Sequence, residues 1–131
     1  MAEDSRARAR RQIEDARRRL DDAEHRFRNQ TEKAMKNFSA GAARARAQLD
    51  HTERTILARI GEPQPELSAD IAGDRARLEE DERAFHAETE AARRAFYGDI
   101  GRARAELAEA ERAVDRSGDA DRWGRRRSRE G

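Results

Sequence analysis

The sequence has no cysteine, only two prolines, and one tryptophan and one tyrosine beside four phenylalanines. Without cysteine, a disulfide framework, a thiolate metal site and a cysteine nucleophile are all excluded. Leu, Ile, Val and Phe together number sixteen of the 131 residues, which is too few for a compact globular core. Residues 1–5 are polar and no long apolar run follows them, so we expect neither a signal peptide nor a membrane-spanning helix. We therefore expect a cytoplasmic protein, although export without a cleaved signal peptide stays open.

The chain is instead rich in alanine, arginine, glutamate and aspartate. Its 29 basic and 28 acidic residues nearly cancel, so charge repulsion does not prevent folding. This composition is typical of long, exposed helices and coiled coils. Acids placed four residues before arginines, as in Asp50 and Arg54, give such helices further support. The sequence therefore predicts an all-α protein.

One short segment interrupts the helical pattern. Gly61 suits a helix C-terminus, and Pro65 suits the first turn of a following helix. We therefore predict an antiparallel two-helix hairpin over residues 1–116, followed by a flexible, Arg-rich tail at 117–131. Within the hairpin, the predicted elements are a helix at 4–60, a turn at 61–65 and a helix at 66–116.

The large apolar residues form one narrow stripe on each predicted helix, and the two stripes are mirror images. Numbers of facing residues add up to 127, as for Leu20 and Leu107 or Ile56 and Ile71. At this register each phenylalanine except Phe27 faces a small residue, for example Phe38 facing Thr89, as interlocked packing requires. The predicted hairpin core comprises Ile13, Leu20, Phe27, Phe38, Leu49, Ile56, Ile60, Leu67, Ile71, Leu78, Phe85, Phe96, Ile100, Leu107 and Val114.

A two-helix hairpin buries little apolar surface, so we expect its stability alone to be modest. Self-association or a helical protein partner would complete it to a four-helix bundle. Candidate docking residues outside the stripe are Leu57, Tyr97 and a row of alanines that includes Ala9, Ala16 and Ala23. The alternative is that these are ordinary surface residues.

Charge is unevenly distributed along the chain. Residues 1–20 carry seven arginines and four acids, and residues 115–131 carry six arginines and four acids, whereas residues 50–90 carry five arginines and twelve acids. Copies of the chain could therefore pair through oppositely charged segments. The predicted tail could instead bind phosphates of a nucleic acid or an anionic membrane surface. Its candidate contacts are Arg122, Trp123, Arg125, Arg126, Arg127 and Arg129.

No pattern of residues indicates catalysis. The sequence has no Gly-rich phosphate loop and no dinucleotide fingerprint, and its three histidines fall on predicted helix surface. A two-helix hairpin also lacks the water-excluding pocket that an active site needs. We therefore expect no enzyme activity, cofactor, metal or small-molecule substrate. The predicted function is that of a coiled-coil protein that self-associates or binds a helical partner. The alternative is a small nucleic-acid-associated protein that grips phosphates with its tail.

Overall fold

The computed structural model consists of two long α-helices, α1 (Ala2–Ile60) and α2 (Pro65–Glu130). It describes the backbone of residues 2–62 and 64–130, and the side chains of these residues other than 60, 121, 122 and 125–130. Side chains of the two helices pack against each other, so the predicted all-α architecture is confirmed. No helix in the described part of the chain is both long and apolar enough to cross a membrane.

The end of α1 and the start of α2 follow from local chemistry. Gly61 has a φ of 66°, a left-handed conformation that favours glycine, and its N–H donates to the carbonyl oxygen of Leu57 at 3.3 Å. On the other side of the turn, the carbonyl of Gln64 accepts the N–H of Ser68 at 3.0 Å. Pro65 therefore occupies the first helical position, where a missing N–H costs nothing.

The end of α2 differs from the sequence-based prediction of a helix to Arg116 and a flexible tail at 117–131. The backbone remains helical through Glu130. No proline follows Arg116, and a glycine within a helix costs only about 1 kcal/mol relative to alanine. At Gly118 the side chain of Arg6 crosses from α1, and its Nη1 donates to the carbonyl oxygen of Ser117 at 3.5 Å. Because α1 packs against this part of α2, the glycine does not terminate the helix.

Packing divides the chain into two units. A terminal unit contains the residues up to Phe27 and those from Ala95 onward, and a central unit contains Arg28–Arg94. In the terminal unit Ile13 and Ile100 are buried, while Leu20, Phe27, Phe96, Leu107 and Val114 are half-buried. In the central unit Ala42 is buried, while Phe38, Leu49, Ile56, Leu67, Ile71, Leu78 and Phe85 are half-buried. The side chain of Ile60 lies outside the described residues.

The sequence predicts that each phenylalanine except Phe27 faces a small residue, but in the structure the four rings pack in pairs. Phe38 stacks on Phe85 in the central unit, with ring centroids 4.1 Å apart and planes 3° apart. Phe27 stacks on Phe96 in the terminal unit, at 4.0 Å and 8°. Numbers in both pairs add up to 123, one helical turn away from 127. A phenylalanine side chain is long enough to span about one helical turn, so the two rings of each pair meet although their backbone positions are offset by one turn from the predicted register.

Candidate interaction surfaces

Leu57 lies in the last turn of α1 and is 56 % exposed. Its carbonyl oxygen accepts the N–H of Gly61, so the turn that ends α1 also holds this residue in helical conformation. Its side chain is therefore an apolar group presented to solvent by a defined backbone.

Tyr97 is 40 % exposed and belongs to an aromatic cluster in the terminal unit. Its ring meets those of Phe27 and Phe96 edge-on, with centroids 6.1 Å and 5.6 Å away. Edge-to-face contacts of this kind are favourable between aromatic rings. The Tyr97 ring thus packs against both helices of the hairpin, although the residue is 40 % exposed.

Trp123 is 64 % exposed, more than Leu57 or Tyr97, and it lies on the C-terminal extension of α2. The side chains of the neighbouring candidates Arg122, Arg125, Arg126, Arg127 and Arg129 lie outside the described residues. Trp123 is therefore the one predicted contact of this segment whose exposure the structure describes.

The row formed by Ala9, Ala16 and Ala23 continues the pattern of the seam. All three side chains are half-buried. Together with Ile13, Leu20 and Phe27 they alternate at spacings of four and three, which is the pattern of a coiled-coil seam two columns wide. The sequence prediction includes only the large apolar residues in the seam, and it therefore places these alanines outside it.

Arginines cross between the two helices of the terminal unit. Arg104 donates to Asp21 at 3.1 Å and to Glu24, and Arg17 donates to Glu111. Arg10 and Asp115 form a further ion pair at 3.4 Å. The hydrogen bond to Glu24, followed by that to Asp21, raises the pKa of Arg104.

The central unit has its own cross-helix arginines. Arg75 donates to Asp50 at 2.5 Å and to Glu53 at 2.8 Å, and Arg46 donates to Glu82. The hydrogen bonds to Asp50 and then Glu53 raise the pKa of Arg75. The carboxylate of Asp50 thus binds an arginine of α2. Arg54, the partner on α1 that the sequence predicts, instead donates to the backbone carbonyl oxygen of Asp50 at 3.4 Å.

These cross-helix bridges of the central unit lie on one face. With 3.6 residues per turn, positions 46, 50 and 53 fall to one side of Leu49, and positions 75 and 82 fall to the same side of Leu78. We call this side the bridged face. Its ion pairs, made by Arg46 and Arg75, connect α1 to α2 beside the apolar seam.

The opposite side of the central unit carries a groove of about 460 Å³. Leu49, Leu78 and Ala45 form its apolar floor, and its rim consists of Arg44, Gln48, Asp74, Arg77 and Asp81. All five rim residues are mainly exposed, so the groove is open to solvent. We call this side the open face.

Sequence reasoning missed both the bridges and the groove. The signal for the bridges was present, because Arg17 and Glu24 each directly follow a residue of the seam, at positions where coiled coils place charges that pair between helices. The residue numbers of bridged partners add up to between 125, for Asp50 with Arg75, and 128, for Glu53 with Arg75. These sums are close to the value of 127 that the sequence predicts for facing apolar residues.

No group of three or more histidine and acidic side chains that could hold a metal ion is found within the described part of the chain. Comparison of the chain with protein families, curated proteins and solved structures found no match.

Proposed function

We propose that this protein is a non-enzymatic coiled-coil interaction protein, whose helical hairpin is completed to a four-helix bundle by a second copy or by a helical protein partner. The observation that carries this proposal is the incomplete burial of the seam. Ile13, Ala42 and Ile100 are the buried apolar residues of the described chain, and no described side chain is fully buried. The remaining large seam residues whose side chains the structure describes are half-buried, including all four phenylalanines.

Half-buried apolar side chains leave free energy available for association. Each Å² of apolar surface removed from water contributes about 25 cal/mol, so a helical partner that covers several half-exposed Leu, Ile and Phe side chains would add several kcal/mol. Leu57 and Tyr97 provide further exposed apolar contacts. The surrounding arginines and acids supply orientation and specificity, because like charges across an interface are repelled.

The test is to measure the mass of the purified chain by light scattering, together with its melting temperature over a range of concentrations. If copies complete the bundle, the mass exceeds that of one chain and the melting temperature rises with concentration. If another protein does so, the chain alone is a monomer with a low melting temperature. A monomer that melts above about 65 °C at every concentration would contradict the proposal, because the hairpin would then be stable without a partner.

A second candidate function is nucleic-acid binding by the C-terminal segment, which is favoured by the exposure of Trp123 among arginines. An exposed indole can stack on a base while arginines neutralise phosphates. Deleting residues 122–131 distinguishes the two functions. Assembly persists after the deletion under the first proposal, whereas under the second a salt-sensitive affinity for single-stranded nucleic acid is lost.

A further inference from the structure

We propose that the open face of the central unit is the surface on which a second copy of this chain docks. This inference rests on the proposed function and names its partner and its site. At the groove over Leu49 and Leu78, the apolar seam of the central unit is accessible between the helices. On the bridged face the same seam is crossed by the ion pairs of Arg46 and Arg75.

The charges of the rim indicate that the partner is another copy. The rim carries two arginines, Arg44 and Arg77, and two aspartates, Asp74 and Asp81. Such a surface is neutral overall and contains both signs on a short stretch, so it can match itself across a two-fold axis. A partner of one charge sign would leave two rim charges opposed by like charges, which costs free energy.

The rim charges are available for a partner because their contacts within the chain are weak. On α2, Nη1 of Arg77 lies 3.8 Å from Oδ1 of Asp74, and the side chains of Asp74 and Arg77 are 55 % and 81 % exposed. Exposed pairs of this kind contribute little to stability. Arg44 donates through Nε to the carbonyl oxygen of Ala40 at 3.4 Å, which leaves its two terminal nitrogens unused by that bond. In a dimer, the rim charges of one copy would pair with those of the other copy in place of solvent. No ion pair between α1 and α2 would have to break.

The experiment uses two charge variants of the full chain. One replaces both rim arginines (Arg44→Glu and Arg77→Glu), and the other replaces both rim aspartates (Asp74→Lys and Asp81→Lys). Each variant then has a rim of one sign. The mass of the wild type, of each variant and of their equimolar mixture is measured by light scattering over a concentration series, and circular dichroism verifies that each remains helical.

We expect the wild type to be a dimer, each variant alone to dimerise at least about tenfold more weakly, and the mixture to regain dimers of near wild-type affinity. A matched control, Arg83→Glu with Arg94→Glu, changes the same charge on exposed positions of α2 away from the groove and should dimerise as the wild type does.

Three results would overturn the inference. A wild-type chain that is monomeric at every concentration has no such interface. Variants that dimerise as tightly as the wild type would place the interface elsewhere, while self-association and the proposed function would stand. Variants that are weak both alone and mixed would show that the rim does not pair with itself. A low-melting monomer would likewise leave the proposed function standing, with a different helical protein as the partner.

Discussion

Phe27 and Phe96 lie ring against ring, one from each helix, with centroids 4.0 Å apart and planes inclined by 8°. The ring of Tyr97 makes edge-to-face contacts with both of these rings. This cluster brings three aromatic rings together in the terminal unit, whose other large seam residues are aliphatic. The stack of Phe38 and Phe85 is its counterpart in the central unit.

Replacing either ring of the Phe27 and Phe96 stack by alanine should lower the free energy of unfolding by about 2 kcal/mol, less than for a fully buried phenylalanine because both are half-exposed. The double variant should lose less than the sum of the two, with a coupling of about 0.5–1.5 kcal/mol. Urea denaturation at one chain concentration measures all three. Phe27 and Phe38, eleven positions apart on α1, serve as the control pair and should be additive; coupling as large in that pair would contradict the stacking argument.

Glycines inside the helices should be replaceable with a gain in stability. An added Cβ at Gly41 or Gly98 meets nothing within 4 Å. Gly41→Ala and Gly98→Ala should therefore each stabilise the protein by about 0.5–1 kcal/mol, because alanine has the higher helix propensity.

The contrasting variant is Gly61→Ala. The space around Gly61 is also open, but its φ of 66° is strained for alanine. Thermal melts should show a lower melting temperature, with a cost of about 1 kcal/mol or more. A gain in stability at Gly61 would mean that the turn does not require the left-handed conformation.

Arg75 should contribute a salt-sensitive part of the stability, because it joins Asp50 and Glu53 of α1 to α2. Arg75→Met should lower the melting temperature relative to Arg83→Met, which removes an exposed arginine of the same helix. The difference should shrink between 0.1 M and 1 M salt, since the screening length falls from about 10 Å to about 3 Å. Equal melting temperatures for both variants at low salt would show that the bridge contributes nothing.

Glu109 should make stability depend on pH in the acidic range. Hydrogen bonds from Arg116 and then Arg112 lower the pKa of its carboxyl. A lowered pKa in the folded state means that this carboxylate stabilises the protein above the ordinary glutamate pKa of about 4.3, and that the contribution disappears as pH falls through the lowered value.

The corresponding variant is Glu109→Gln. Its melting temperature should lie below that of the wild type at neutral pH and should converge with it in strong acid. Glu106→Gln, which removes another exposed carboxylate of α2, is the control and should show a smaller difference at neutral pH. A constant difference between wild type and Glu109→Gln over the whole pH range would contradict the assignment.

The sequence by itself determined the helical class, the position of the turn and the pairing of the helices. Three patterns led to these predictions: the composition, the Gly61 and Pro65 that end one helix and begin the next, and the mirrored spacing of Ile and Leu. All three are local or one-dimensional, so they can be recognised without coordinates. The sequence does not predict that the helix continues past Arg116, because a glycine is a weak helix breaker when another helix packs beside it. In the structure, the side chain of Arg6 on α1 packs beside Gly118.

Tertiary structure alone decided how the side chains share the space between the helices. Phe38 stacks on Phe85 and does not face Thr89, because the two rings turn toward each other between the helices. The spacing of residues along the chain does not predict how the rings are oriented. Likewise, Asp50 has arginines within reach on both helices, and only the packed arrangement directs its carboxylate to Arg75. The ion pairs of Arg75 therefore lie on the bridged face of the central unit, and the groove over Leu49 and Leu78 lies on the open face.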